Sequence, residues 1–387
     1  MSANGTVKVY LCGDVGPRRI EYGEDPKTLM AASKSKLAEA DLRFCQLERT
    51  LSTLGAKQNY NANTWYAQVH PDNVAALTEV KFDVVSMAGN HNGDWGYEPI
   101  VDTVEMLKRK GIVVVGAGKD LASARKPAIF ERKGVKIGFL AYCSILPPGL
   151  AAGSSKPGVA PIEISTYYEP PPTARFQPGV PPKVITIAKA EHVEAMINDV
   201  KEAKKQADIV IVSMHYGIPW IPGTLAQYQP VISHAALDAG ADMLFGHHPH
   251  VIKGIEVYKG KVIFYSAGDF AQETPHHEKK GDDTTGLSTF NIKEFQDQGS
   301  RPNNDPAWAR FMGPVERRYS MIVNCEISKT KIEKISFIPV YINEKAEPEP
   351  LKKADPRFAE VAGFIEKYAK ELGTKLVPNG DEIVVQT

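Results

Sequence analysis

The chain has 387 residues, enough for one large α/β domain with insertions or for two modest ones, and its 43% hydrophobic and 24% charged content is ordinary for a globular protein. Lys+Arg and Asp+Glu both total 46, and zero net charge argues against nucleic-acid or membrane-surface binding driven by charge. No run approaches 18 consecutive apolar residues and MSANGTVKVYLCGD lacks a basic-then-apolar leader, so neither a bilayer span nor a secretion signal is expected.

Read in chain order, β-rich runs alternate with helical patterns. VKVYLCGD (7–14) is a strand ending on Gly-Asp, residues 27–41 are helix-like, and DLRFCQLE (41–48) is the next strand. PDNVAALTEV (71–80) opens a helix with Pro and Asp, and FDVVSMAGNH (82–91) is a strand that stops on Asn-His. A helix over 98–111 closes on Gly111, a strand covers 111–118, and 126–144 reads as a hairpin turning at Lys-Gly. A polar helix (190–207) leads into ADIVIVSMHYG (207–217); helix 226–239 leads into ADMLFGHHPHV, and a second hairpin spans 252–270. Such alternation predicts a layered α/β fold with mixed sheet edges.

Two stretches interrupt the rhythm. Residues 147–183 are dense in Pro and Gly and read as a long lid-like excursion carrying Tyr167, Tyr168 and Phe176; residues 272–314 form a second, polar one containing His276 and His277. The expectation is a single catalytic domain over 1–345 with those two insertions, and a helical tail over 346–387 packed on it. Cys12, Cys45, Cys143 and Cys325 are far apart with no CxxC spacing, so a reduced, cytoplasmic protein is expected rather than a disulfide or zinc-finger framework.

The strand ends hold the chemistry. Five of them stop on metal-competent residues: Asp14, Glu48, Asn90 with His91, His215, and His248 with His250. Ligands in open α/β sheets bind beyond the carboxyl ends of strands, so residues more than 230 positions apart can converge there. Taken singly, a strand-end Asp or Glu is an ordinary cap or turn former. Three imidazoles at a buried strand end are costly without partners, and the joint pattern carries the argument. Carboxylate, amide oxygen and imidazole together suit one or two divalent ions of the Mn, Zn or Fe type better than Ca or Mg. His247, outside the His-x-His spacing, reads as a supporting residue.

The order GDV, QLE, AGNHNGDWG, MHYG, GHHPHVIKGIE and YSAGDF resembles the CapA family of poly-γ-glutamate capsule proteins, a branch of the calcineurin-like metallophosphoesterases. The resemblance runs from about residue 7 to 342. It implies a four-layer α/β sandwich with two mixed β-sheets flanked by helices. It also implies that Asp14 and Glu48 are metal ligands, Glu48 standing where the superfamily has a bridging aspartate, with Asn90, His215, His248 and His250 completing the shell. His91 would be the general acid, oriented by Asp94. Arg18, Tyr216, Trp220 and Asp269 would meet substrate. Gly16 replaces the histidine of the usual Asp-x-His opening, and Gly-Asp-Phe replaces a Gly-Asn-Phe signature, which places Asp269 near the site.

These residues suit a metal-dependent hydrolase acting on an amide, ester or phosphoester of a small or peptide-like, γ-glutamyl-like molecule. The competing readings are proton abstraction next to a carbonyl, as in an epimerase, isomerase or lyase, and a non-catalytic capsule-assembly factor. No nucleic-acid or membrane partner is expected.

Overall fold

The computed structural model describes residues 5–58, 68–274, 301, 305–311 and 313–387. It is a mixed α/β structure in which two mixed β-sheets face each other. The larger sheet runs Leu376–Asn379, Glu382–Val385, Ile332–Ile342, Tyr319–Ile327, Val7–Gly16, Leu42–Leu47, Val84–Ser86 and Val113–Val115. The smaller runs Ile255–Tyr258, Lys261–Phe264, Met243–His247, Ile209–His215, Val135–Cys143 and Ala128–Arg132.

The two-residue period of a strand explains how the smaller sheet is covered on both sides. Ile209, Ile211, Phe139, Met243 and Phe245 point into the core shared with the larger sheet. Their neighbours Val210, Val212, Met214, Leu140 and Leu244 point the other way, onto helices Ala190–Lys204 and Tyr228–Asp238. Between the sheets, the Phe44 ring stacks on Phe139 at 5.7 Å and meets Phe245 edge-on at 6.0 Å. Helix Glu98–Arg109 packs along the edge strand Val113–Val115 of the larger sheet.

Three segments differ from expectation. Residues 27–41 form short 3-10 turns and the single helical turn Lys34–Leu37: their buried residues (Leu29, Met30, Ser33, Leu37, Ala40) keep a helix-like spacing, but the backbone leaves the helical region at Met30 (φ −116°, ψ 25°). The tail beyond 346 is not only helical: after helix Pro356–Glu371, Leu376–Asn379 and Glu382–Val385 pair antiparallel, and Val384 and Ile383 sit opposite Ser336 and Phe337 in the larger sheet. The Pro/Gly-rich excursion contains an antiparallel ribbon, Ile164–Glu169 against Lys183–Ala188. Tyr167, Tyr168 and Phe176 are 55%, 68% and 77% exposed on it, so they do not pack the excursion onto the domain. Most of the second excursion, His276 and His277 included, lies outside the described residues.

All four cysteines are buried and unpaired. Among the described residues no helix is long and apolar enough to cross a membrane.

Candidate metal centre

The carboxyl ends of the central strands of both sheets meet at one rim. A register shift at Asp14, on both of its strand neighbours, bends the end of Val7–Gly16 and re-aims this side chain between the sheets. Glu48 follows the strand Leu42–Leu47 directly, Asn90 opens the 3-10 turn Asn90–Gly93, and His215 ends Ile209–His215. His248 and His250 lie in the turn beyond Met243–His247. Their φ angles are +99° and +57°, and Trp220 has +65°. Each left-handed non-glycine residue costs about 1–2 kcal/mol, strain of the kind that collects at functional sites.

The geometry is tight. His215 Nε2 lies 2.6 Å from Asn90 Oδ1 and 3.1 Å from His248 Nδ1, and Asn90 Oδ1 is 3.2 Å from His248 Nδ1. Glu48 Oε1 is 3.6 Å from His215 Nε2, and Asp14 Oδ1 is 3.9 Å from His215 Nδ1. The backbone N–H of His248 donates to Asp14 Oδ2 at 3.1 Å. His250 stands to one side, its Nδ1 2.8 Å from Asp269 Oδ1 while Trp220 stacks on its ring at 5.0 Å; Asp269 also accepts from Arg317. Ligand atoms of Asp14, His250 and Asp269 fall within 4.8 Å of one another, as do those of Glu48, His215 and His248.

His247 has both ring nitrogens engaged, Nε2 with Ser213 Oγ at 2.5 Å and Nδ1 with His215 Nδ1 at 2.9 Å. It thereby fixes the orientation of the His215 ring, as an outer partner does for a ligating imidazole. On the opposite flank, His91 Nδ1 donates to Asp94 Oδ2 at 2.8 Å; the His91 side chain is 19% exposed and that of Asp94 1%.

The donors fit a divalent cation. Asp14 Oδ1 and both Glu48 oxygens are buried with no hydrogen-bond partner, and a carboxylate left that way is expensive unless a cation compensates it. Burial pushes the Asp14 carboxyl up to about 6, Asp269 adding to the push and His250 opposing it. Burial, reinforced by Asp14, drives Glu48 well above the usual carboxylate range. For His215 and His248, burial and the neighbouring imidazoles hold the rings well below their ordinary value, and burial alone takes His247 down to about 3. Neutral imidazoles are the form that ligates.

Protons therefore compete with a cation at the carboxylates and not at the rings. A cation binds the ionised carboxylate, so affinity falls as pH drops through the range where Asp14 takes up its proton. Mn2+ affinity is expected to rise at least about tenfold per pH unit up to about pH 6, and more steeply wherever the cation also displaces a proton from Glu48. Calorimetric titrations from pH 5 to 8, in buffers of different ionisation enthalpy, read both affinity and proton release. Affinity independent of pH over that range would contradict the assignment.

Not every residue expected at the site is there. Tyr216 follows His215 and so faces the opposite side of the sheet, fully buried, with its hydroxyl 3.0 Å from Ser233 Oγ under helix Tyr228–Asp238. Arg18, Trp220 and Asp269 do border the rim. Two residues with no motif to mark them are also present: Arg49, next to Glu48, and Arg317, on Asp269. The first could have been noticed from its position in QLERT; the second lies beyond the polar excursion in a run without pattern.

A family model described as "Bacterial capsule synthesis protein PGA_cap" matches residues 8–274. The PGA biosynthesis protein CapA of Bacillus subtilis is 33% identical over 206 residues, 53% of this chain and 46% of that protein. The capsule biosynthesis protein CapA of Bacillus anthracis is 30% identical over 216 residues, 55% and 46% respectively. The chain spans about half the length of the curated relatives it matches. Among solved structures, the calcineurin-like phosphoesterase YfkN of Bacillus subtilis overlays with a TM-score of 0.37 at 13% identity, covering 87% of this chain and 91% of that one. That overlay is too loose to bear on function.

Proposed function

The chain belongs to the bacterial capsule synthesis family PGA_cap, and from that premise we propose that it is a metal-dependent hydrolase acting on an amide, ester or phosphoester of small or peptide-like, γ-glutamyl-type material. The observation that carries this reading is the buried, partnerless carboxylate of Glu48 set among Asn90, His215 and His248, with the His91–Asp94 pair at the margin. Asp14, Glu48, Asn90, His215, His248 and His250 would hold one or two ions of the Mn, Zn or Fe class. When bound, such an ion polarises a carbonyl or phosphoryl group and lowers the pKa of water toward roughly 7.

The remaining work falls to this chain's own groups. Asp94 accepts from His91 Nδ1, which leaves Nε2 to meet the substrate; with the ring doubly protonated, Nε2 gives its proton to the leaving group and the ring returns to the neutral form with its proton on Nδ1. Trp220, stacked on His250, walls one side. The four buried thiols support a reducing compartment, which we take to be the cytoplasm.

A panel of γ-glutamyl amides, esters and phosphoesters, each with Mn2+, Zn2+, Fe2+ or chelator, tests the proposal. Expected is turnover of the amide members that needs added metal and stops with chelator. No turnover in any arm, or solvent deuterium entering a C–H bond of uncleaved substrate, overturns it.

A further inference from the structure

Beside the metal centre the chain buries guanidinium groups whose N–H donors it does not all satisfy. Of five arginines gathered there, Arg19 is paired with Glu24, Glu273 and Glu347, Arg310 with Glu24, and Arg317 with Asp269. Arg18 and Arg49 have no carboxylate partner among the described residues. Arg49 is 3% exposed; its Nη2 donates to the Glu273 carbonyl, while Nε and Nη1 are buried and without a partner. Arg18 Nη1 is likewise buried and unpartnered, while the backbone N–H of Arg18 donates to Glu273 Oε2 at 2.6 Å. Arg18 and Arg317 stand close enough to repel Arg49, and Glu273 and Glu48 close enough to attract it. Gly16 makes room for this cation: a Cβ there would come 2.7 Å from Arg49 Nε and would also strike Gln272. Buried guanidinium hydrogens that meet neither carboxylate nor carbonyl are costly unless an anion arrives to take them.

We propose that Arg18 and Arg49 form an oxyanion subsite next to the metal donors, and that its ligand is a substrate carboxylate such as the α-carboxylate of a γ-glutamyl unit. The assignment of that carboxylate rests on the hydrolase reading given above, whereas the oxyanion subsite itself does not. Arg49 follows Glu48 in the chain, so an anion held there lies one residue from the donor cluster, and the bond to be cleaved is oriented from that anchor. Charge-assisted bonds from guanidinium to carboxylate are about twice as strong as neutral ones and supply that orientation.

Calorimetric titration of the metal-loaded protein tests this without requiring turnover. The probes are γ-glutamyl-glutamate, the same dipeptide with its carboxylates capped as amides, and inorganic phosphate. Expected is binding of the free dipeptide at least about tenfold tighter than of the capped form. Arg49→Met should remove that advantage and leave the capped form bound as before. Arg18→Met, at a partly exposed position less prone to disturb folding, should reduce it in the same direction. Equal binding of free and capped dipeptide, or equal loss of both in Arg49→Met, would overturn the subsite. Phosphate bound in preference to the dipeptide would overturn the carboxylate. Should the substrate panel show no hydrolysis while Arg49 still discriminates between the dipeptides, the hydrolase reading fails and the subsite stands.

Discussion

Glu48→Gln is expected to lower metal-dependent turnover by on the order of 10³-fold or more, and to make the metal-free protein more stable than the wild type. The first effect follows from removing a charged donor at the centre of the cluster, which should exceed the 10–100-fold cost of disturbing an outer partner. The second follows from burial. Glu48 is fully buried with both oxygens unpartnered, and burial together with Asp14 raises its pKa well above the usual range. A carboxyl group whose pKa is higher folded than unfolded costs nothing below the unfolded value, roughly 4.3, and about 1.4 kcal/mol per pH unit above it until the folded value is reached. Glutamine has the same shape and no proton to lose. In chelator, the melting temperatures of variant and wild type should therefore coincide near pH 4 and separate toward pH 7, the variant higher. Saturating Mn2+ should reverse the order. A variant that keeps its metal and its turnover would end the assignment of Glu48.

His91→Ala should lower kcat by about 10²–10⁴-fold while metal content, read by elemental analysis, stays at the wild-type level. The two readouts separate a proton donor from a ligand. His91 lies 2.8 Å from Asp94 and outside the close contacts among Asn90, His215 and His248. Asp94→Asn should act in the same direction, because an amide at that position no longer enforces a proton on Nδ1 of His91. Loss of metal in His91→Ala would move this residue into the coordination shell.

The meeting of these side chains at one rim was largely legible because strand ends are conspicuous in sequence: an apolar run that stops on Asp, Glu, Asn or His marks a rim position before any fold is known. Convergence then depends only on parallel neighbours, and Val7–Gly16, Leu42–Leu47 and Val84–Ser86 are parallel, as are Ile209–His215 and Met243–His247. Tyr216 was misplaced for a local reason, since adjacent residues on a strand face opposite ways. Arg49 and Arg317 were hidden because a guanidinium signals its role through the absence of a partner, which no linear pattern contains. The closing hairpin has a local signal: LVPNGDEIVV sets the two-residue turn Gly380-Asp381 between short apolar runs, with Gly380 at φ +63°. The ribbon of 164–188 was masked by its prolines, which lie in the loop between the two strands and not within them.

Asp14, Glu48 and Asn90 are carried by one sheet, and His215, His248 and His250 by the other. A cation gripped by both sets is thus a rivet through the sandwich as well as a reagent. Where the phenylalanines of the interior hold the two layers, stripping the ion should change little. At the rim, two buried carboxyl groups would be left with no cation between them, and hydrogen–deuterium exchange should speed up there first, in the turns around Asn90 and His248, while the middle of each layer stays protected.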